Sequence, residues 1–157
     1  MQLEARQTFI REKVMKKLII SLCVLFPNIA FSQASVDLIN VRQQAFVHIE
    51  NQSEQVEDML DEDAPNWNEI ESVSHELYKH SQLLSTAFPE GSQDGSKAKE
   101  AVWGKPEKFN QLMQEMDSGF VQLYQASLKQ DKEAAKTGLE QAQDTCNGCH
   151  RSYRSRF

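Results

Sequence analysis

Apolar side chains recur at steps of three and four residues along most of this chain, and that spacing predicts amphipathic α-helices. The first predicted helix is the longest, and the acidic stretch that ends at Pro65 should terminate it. Its inner face is formed by Ile39, Arg42, Phe46, Ile49, Ser53, Val56 and Leu60. No segment shows the sustained two-residue alternation of a β-strand. The pattern therefore predicts an all-α fold.

Three more helices follow, each bounded by residues that favour helix ends. Asn68 and Glu71 resemble a capping pair for the second helix, which should stop before the Gly- and Ser-rich loop that follows Phe88. Pro106 suits the first turn of the third helix, and Asp131 is a good N-cap for the fourth. The inner face of the fourth helix carries Ala135, Leu139, Ala142, Cys146, Cys149 and Tyr153. Four such helices with short connections predict an antiparallel four-helix bundle.

The segment that starts at Met15 has the layout of an export signal. Two lysines precede the apolar run 18–26, and small residues stand at the positions that a signal peptidase reads. We therefore expect residues 1–32 to be a leader and signal peptide that is removed, with Met15 as the natural start. Residues 33–157 should form the mature domain, located in the periplasm.

Neither a membrane span nor a lipid anchor is expected in the signal segment. The apolar run is interrupted at Pro27, too early for a helix that crosses a bilayer. Cys23 follows Leu22, which is larger than the small residue normally cleaved before a lipid-modified cysteine. The exported protein should therefore carry no membrane anchor.

The predicted mature domain is strongly acidic. The whole chain has 17 basic and 23 acidic residues, of which 5 and 2 lie in residues 1–32, so the domain keeps 12 and 21 and a formal charge of −9. Such a surface repels phosphate backbones and anionic lipids. Nucleic acids and membrane surfaces are thus unsuitable partners, whereas a basic redox protein could dock there.

Near the end of the chain, Cys146 and Cys149 are followed by His150 in the pattern C-x-x-C-H. On a helix, residues three apart share a face, so both thiols can reach the vinyl groups on one edge of a porphyrin. His150 follows one turn after Cys146, where a ring nitrogen can bind the iron. This spacing is the attachment pattern of a c-type haem, and it predicts one covalent haem c per chain.

The same two cysteines could instead form a redox dithiol or half of a zinc site. A dithiol enzyme would carry the pair at the start of a helix in a strand-helix-strand setting, and a zinc site needs two further ligands nearby. No strands are predicted, and the other histidines, His48, His75 and His80, lack the spacing of a ligand pair. Covalent haem is the interpretation that fits the chain, and it leaves no cysteine pair for a structural disulfide.

With the helix order, the haem motif and the export signal combined, the chain resembles the cytochrome c′ family of class II c-type cytochromes. The resemblance covers nearly all of the predicted mature sequence. It rests on V-R-Q-Q-A-F at 41–46, F-P-E-G-S at 88–92, V-W at 102–103 with Pro106 and Phe109, and the segment 146–154. It implies the bundle fold, a covalent haem and a homodimer formed through the first two helices.

The resemblance also implies roles for three residues around the haem. It places Arg42 near a haem propionate, Phe46 on the face of the iron opposite His150, and Arg154 beside the proximal pocket. Because Phe46 has no lone pair to offer a metal, the iron should have five ligands. Relatives more often carry an aliphatic residue at the position of Phe46, and those with methionine there become six-coordinate electron carriers. Phe46 could also be ordinary core packing, and Arg154 a charge that suits a helix C-terminus.

Other side chains could occupy the sixth position of the iron. His48 lies about 200° around the helix from Phe46, so both cannot face the iron. His80 lies on the inner side of the second helix and is the more serious candidate, although a core or interface histidine is the commoner case. Three methionines occupy packing positions, where this residue is usually part of the core. They are Met59, Met113 and Met116.

The resemblance implies that nitric oxide, and also carbon monoxide, binds at a five-coordinate iron in an apolar pocket. The sequence adds the absence of a distal ligand and of a distal hydrogen-bond donor, so bound dioxygen would gain little stabilisation. The alternative is an electron-transfer cytochrome of the same bundle type with a sixth ligand. No nucleophile, base and orienting group occur together, so we expect no enzyme activity. The leading prediction is a periplasmic haem protein that binds diatomic gases, exchanges electrons with a partner protein, or does both.

Overall fold

Helices account for most of the chain that the structure describes. The computed structural model describes the backbone of residues 29–156 and the side chains of residues 37–156. The predicted leader and signal peptide, 1–32, therefore lies largely outside the described residues. The helices are α1 (Ile29–Asp61), α2 (Trp67–Ser85), α3 (Ala101–Gly104), α4 (Pro106–Leu128) and α5 (Lys132–Tyr153). None of these described helices is long and apolar enough to cross a membrane.

The helix starts follow local sequence signals. Pro106 occupies the first turn of α4, and at the start of α5 the Asp131 carboxylate accepts a hydrogen bond from the backbone N–H of Ala134. The predicted capping pair of α2, Asn68 and Glu71, is wrong by two residues. The N-cap residue is Asn66, and its side-chain amide donates a hydrogen bond to the carboxylate of Glu69. Both pairs have the same three-residue spacing, so the sequence pattern alone fits either start.

Hydrogen bonds between α2 and α4 show that these two helices are antiparallel. The hydroxyl oxygens of Ser74 on α2 and Ser127 on α4 lie 3.1 Å apart. Ser81, further along α2, donates to the carboxylate of Asp117, which lies earlier on α4, at 2.6 Å. The order of the contacts is thus reversed between the two helices. Because these buried hydroxyls have hydrogen-bond partners, the polar α2–α4 contact carries no desolvation penalty from unpaired groups.

The backbones of α4 and α5 approach each other closely at two glycines. A Cβ atom on Gly119 would stand 2.6 Å from backbone atoms of Gly138 and Ala142, and one on Gly138 would stand 2.6 Å from the backbone nitrogen of Leu123. Cβ atoms do not approach backbone atoms so closely, so only glycine permits this helix crossing.

The long helices enclose the predicted apolar core, and the all-α four-helix bundle is confirmed. Of the seven residues predicted on the inner face of α1, six are buried and Phe46 is half-buried. The largest fully buried apolar side chains are Phe120, Leu60, Ile70, Leu77, Leu84 and Leu123. Burial of each such side chain stabilises the fold by about 1.5–3 kcal/mol relative to exposure. Phe46 differs from its neighbours because it borders a cavity.

The loop 86–100 between α2 and α3 is attached to the end of the chain. Ala98 and Arg154 form an isolated antiparallel β-bridge, and the backbone N–H of Lys99 donates to the backbone oxygen of Tyr153 at 2.9 Å. These contacts hold the loop beside the last turn of α5, where the C-x-x-C-H motif lies.

Candidate functional site

A cavity of about 540 Å³ lies between α1, α3, α4, α5 and the loop 86–100. Pockets of this volume accommodate drug-sized ligands and cofactors. Its apolar walls are formed by Phe46, Ile49, Phe88, Val102, Phe109, Leu112, Met113, Met116 and Phe120. A cavity with such walls suits a large, mostly apolar group.

All three functional residues of the C-x-x-C-H motif border this cavity. Cys146, Cys149 and His150 lie in the last two turns of α5. Cys149 is half-buried, whereas Cys146 and His150 are exposed. Since positions three and four apart share a helix face, α5 presents both thiols and the imidazole to one space.

The surroundings keep the two thiols protonated at neutral pH. Desolvation raises the pKa of Cys146 and of Cys149, and the negative charge of Glu50 on α1 raises the pKa of Cys146 further. A redox-active dithiol needs the opposite shift, a thiol pKa lowered by a positive environment. The site therefore disfavours the dithiol alternative and holds neutral thiols.

Phe46 belongs to an aromatic wall that runs from α1 to the end of α5. Its ring centroid lies 6.4 Å from that of Phe88. Phe88 packs edge-on against Phe109 with centroids 5.0 Å apart, and Phe109 packs in the same way against Tyr153 at 5.3 Å. The edge-on pairs have the geometry that aromatic rings favour. Phe46 thus faces the cavity with a ring that has no atom able to bind a metal.

Arg42 is buried, with 2% of its surface exposed, and it borders the same cavity. Its guanidinium donates to the backbone oxygen of Ala87 at 3.2 Å and to the hydroxyl and backbone oxygens of Ser92 at 3.0 and 2.7 Å. It also lies over the ring of Phe88, 4.7 Å from the centroid. Desolvation lowers the pKa of Arg42, and no carboxylate within residues 37–156 offsets it. A buried cation favours an anionic partner, and the guanidinium has five N–H donors for these three acceptors.

Arg154 lies at the rim of the cavity, just after the last turn of α5. Its backbone N–H donates to the backbone oxygen of His150 at 3.3 Å, and its side chain is exposed. The structure therefore brings Arg154 close to His150 along the chain and to the same cavity. The position also suits a positive charge at a helix C-terminus, so both interpretations of Arg154 stay open.

Some cavity groups were not assigned to the site from the sequence. The thioethers of Met113 and Met116 line it, and so do the side chains of Gln43 and Ser53. The Ser53 hydroxyl is a hydrogen-bond donor at a cavity that the sequence predicted to have none. The sequence did place Ser53 on the inner face of α1. That position alone does not show that its hydroxyl borders a cavity.

His48 and His80, the rival ligands, lie elsewhere. Their rings stack on each other between α1 and α2, with centroids 4.8 Å apart and planes 1° from parallel. Among the cavity-lining residues in the described part of the chain, His150 is the one histidine.

The donor set of the cavity fits a covalently attached haem. Two neutral thiols three residues apart can form thioethers, and the adjacent imidazole can bind iron. The aromatic walls match a flat apolar macrocycle, and the buried guanidinium matches a carboxylate at its edge. A four-helix bundle whose last helix carries C-x-x-C-H beside such a cavity defines a bundle-type c-type cytochrome.

Comparison with known proteins gives the family. The family model described as Cytochrome C' matches residues 37–154, most of the 157-residue chain. The chain belongs to the cytochrome c′ family, and the resemblance seen in the sequence is confirmed. Membership of this family implies covalent haem c, and its members are generally non-enzymatic haem proteins. No curated protein sequence matches the chain significantly.

Solved structures of cytochromes c′ have the same fold. Cytochrome c′ from Rubrivivax gelatinosus is 27% identical, with a TM-score of 0.69 over 76% of this chain and 95% of that one. A ferrous variant of cytochrome c′ from Alcaligenes xylosoxidans with bound nitric oxide is 22% identical, with a TM-score of 0.70 over 78% of this chain and 97% of that one. A second variant of that protein, with bound carbon monoxide, is 23% identical, with the same TM-score and coverage.

Proposed function

We propose that this chain is a periplasmic haem protein that binds nitric oxide and carbon monoxide at an iron ligated from one side only. Cys146 and Cys149 would hold haem c by thioether bonds, and His150 would be the axial ligand. The observation that carries the proposal is the presence of this motif and of Phe46 on the walls of one cavity. Haem c supplies an iron atom that binds diatomic gases and accepts or releases one electron.

The surrounding side chains would orient the cofactor and control access. Phe46 fills space at the cavity wall, offers no lone pair and excludes water. Arg42 holds the loop 86–100 in place through Ala87 and Ser92, and its free N–H groups would bind a propionate. Arg154 adds positive charge at the rim near His150, which favours the reduced state of a haem.

Two lines of support favour gas binding over a purely electron-carrying role. Solved relatives bind nitric oxide and carbon monoxide, and no histidine other than His150 lines the described cavity. Because nitric oxide binds iron strongly without a hydrogen-bond donor, the apolar ring of Phe46 is a sufficient neighbour for it.

The absorption spectrum of the purified protein tests the proposal. The ferric form should be high-spin, and addition of nitric oxide or carbon monoxide to the ferrous form should give saturable spectral changes. In a His150→Ala variant the haem should stay bound through its thioethers, but its absorption bands should differ from those of the parent because the axial ligand is missing. A low-spin spectrum that gases cannot change would contradict the proposal.

The second candidate function is electron transfer by a six-coordinate iron. The observation that favours it is the presence of two thioethers, those of Met113 and Met116, on the cavity walls. Both methionines are buried, at 8% and 5% exposure, as core residues are. If one of them bound the iron, the parent would be low-spin, and replacement of that methionine by leucine would make it high-spin. An unchanged spectrum in both leucine variants would exclude this candidate.

The cellular setting is part of the same proposal. We expect export to the periplasm after cleavage near Ser32 and a homodimer formed through α1 and α2, where Val41 and Leu83 are exposed apolar side chains. A basic redox protein would dock on the acidic surface. Fractionation with N-terminal sequencing tests export, and light scattering tests the dimer.

A further inference from the structure

The most unusual feature outside the haem cavity is the pair of stacked histidines between α1 and α2. His48 is exposed and His80 is half-buried, and their ring centroids lie 4.8 Å apart. Neither ring hydrogen-bonds to a residue in the described part of the chain, and neither borders the cavity. Two imidazoles from different helices thus meet with their ring nitrogens uncommitted.

We propose that His48 and His80 bind one divalent transition-metal ion, Cu²⁺ in preference to Zn²⁺, and so link α1 to α2. Imidazole nitrogen is a preferred ligand of both ions, and Cu²⁺ binds a given site of this kind more tightly. No cluster of three or more histidine, cysteine or acidic side chains suited to a metal occurs among the described residues. The site therefore has two protein nitrogens, with water completing the coordination.

The geometry requires a small movement of the two rings. The lone pair of an imidazole nitrogen lies in the plane of its ring, and the two ring planes are 1° from parallel, so they do not yet converge on one point. A metal–nitrogen distance of about 2.0–2.1 Å requires the two nitrogens to lie within about 4.2 Å of each other. Each ring must therefore turn until both planes meet at the ion, and an exposed and a half-buried side chain have the rotational freedom for this change.

The charges around the two histidines do not oppose a bound cation. Glu76 lies one turn before His80 on α2, and its carboxylate is 3.0 Å from the ammonium nitrogen of Lys79, so these two charges offset each other. The chain as a whole has a net charge of −6, which attracts cations.

A second observation lies one turn along α1. The side-chain oxygen of Gln52 is buried without a hydrogen-bond partner, the one such atom among the described side chains. Positions four apart share a helix face, so Gln52 follows His48 one turn later along α1. A water bound to the proposed metal ion could donate the hydrogen bond that this amide oxygen lacks.

The test uses the haem-loaded protein after treatment with a chelator. Titration with Cu²⁺, followed by calorimetry and by electron paramagnetic resonance, should show one saturable site with nitrogen hyperfine structure from imidazole. His48→Gln and His80→Gln should each weaken binding at least tenfold. The control is His75→Gln, because His75 lies on α2 but packs against Tyr124 instead, and this variant should bind as the parent does.

A second readout guards against misfolded variants. Cu²⁺ and Zn²⁺ should raise the unfolding temperature of the parent and of His75→Gln, because a ligand that binds only the folded state stabilises it. They should not raise that of the His48 or His80 variants, whose haem spectra should match the parent. Absence of saturable binding to the parent, or equal binding by all variants, would overturn the proposal. These outcomes do not depend on whether the iron binds gases.

Discussion

At the level of single residues, the proposed position of Phe46 predicts that the size of its ring controls access to the iron. Phe46 is half-buried, and its ring packs against the ring of Phe88. A phenyl group held in this way cannot move aside as easily as a flexible aliphatic chain. Gas entry should therefore be limited by displacement of Phe46 rather than by diffusion through the protein.

Replacement of Phe46 by alanine should accelerate carbon monoxide binding to the ferrous protein. We expect an increase of at least about tenfold in the association rate, equivalent to a barrier lower by about 1.4 kcal/mol. Stopped-flow or flash photolysis measures this rate. Phe46→Leu is the matched control, because it keeps an apolar side chain of intermediate size. Its association rate should lie between those of the parent and the alanine variant. An alanine variant that binds carbon monoxide no faster than the parent would remove Phe46 from the entry route.

The sequence points to the candidate site residues with unequal directness, for a physical reason. The proposed roles of Cys146, Cys149 and His150 rest on haem attachment and ligation, which need a fixed spacing, so a local pattern is enough to suggest them. The surroundings of Arg42 depend on a loop about fifty residues away, as its bonds to Ser92 show. No local pattern carries such a contact. The role of Arg42 was suggested by its place on an otherwise apolar helix face, where a cation needs a counter-charge, and by the resemblance to a family.

At the level of secondary-structure elements, the packing of α4 on α5 depends on the absence of two side chains. Gly119 and Gly138 let the backbones meet, and the sequence did not predict this because isolated glycines in a helical pattern look like weak points. Apolar periodicity shows which face of a helix is inward. It does not show how closely two helices approach.

Replacement of Gly138 by alanine should destabilise the folded protein by about 3 kcal/mol, the upper end of the usual cost of overpacking. The added Cβ would stand 2.6 Å from the backbone nitrogen of Leu123, which cannot move alone. Urea unfolding monitored by circular dichroism measures the change. Gly104→Ala is the control, because nothing lies within 4 Å of its Cβ position. If both substitutions changed the free energy of unfolding equally, the close approach of α4 and α5 at Gly138 would not be the cause of the destabilisation.

The α1–α2 pair should lose stability in acid because of His80. Its pKa is lowered from the ordinary value of 6.5 by desolvation and by His48, so the folded state binds fewer protons than the unfolded state. The free energy of unfolding contributed by this group is present above about pH 6.5 and is lost as the pH falls through the lower, folded pKa. Without divalent metals, the parent should lose more stability than His80→Gln between pH 7.5 and pH 5. Parallel pH profiles would contradict this assignment.

At the level of the whole molecule, the bundle was predictable because each helix carries its own period and its own end signals. The four helices, their antiparallel order and most of α1's inner face follow from these local features. An apolar pocket was also expected, but the identity of its walls was not, because they come from five separate segments: α1, the loop 86–100, α3, α4 and α5. The Ser53 hydroxyl and the stacked histidines depend on the same long-range assembly, and the sequence therefore did not reveal their surroundings.

Loss of covalent haem attachment should weaken the entire fold. In a Cys146→Ser, Cys149→Ser double variant the apolar walls of the cavity would contact water, and we expect an unfolding temperature lower by at least about 5 °C. Differential scanning calorimetry of parent and variant measures the difference. An unchanged unfolding temperature would mean that the bundle is stable without the group that its cavity fits.

In the proposed holoprotein, His150 is the one protein ligand of the iron in a thioether-bound haem. Ferric electron paramagnetic resonance on the exported protein, combined with the mass of its denatured chain, is the decisive measurement. The chain should be heavier by one haem, and the iron should give a high-spin signal without a low-spin component. A chain of unmodified mass, or a low-spin signal from a second nitrogen or sulfur ligand, would show that the iron is not held in this way.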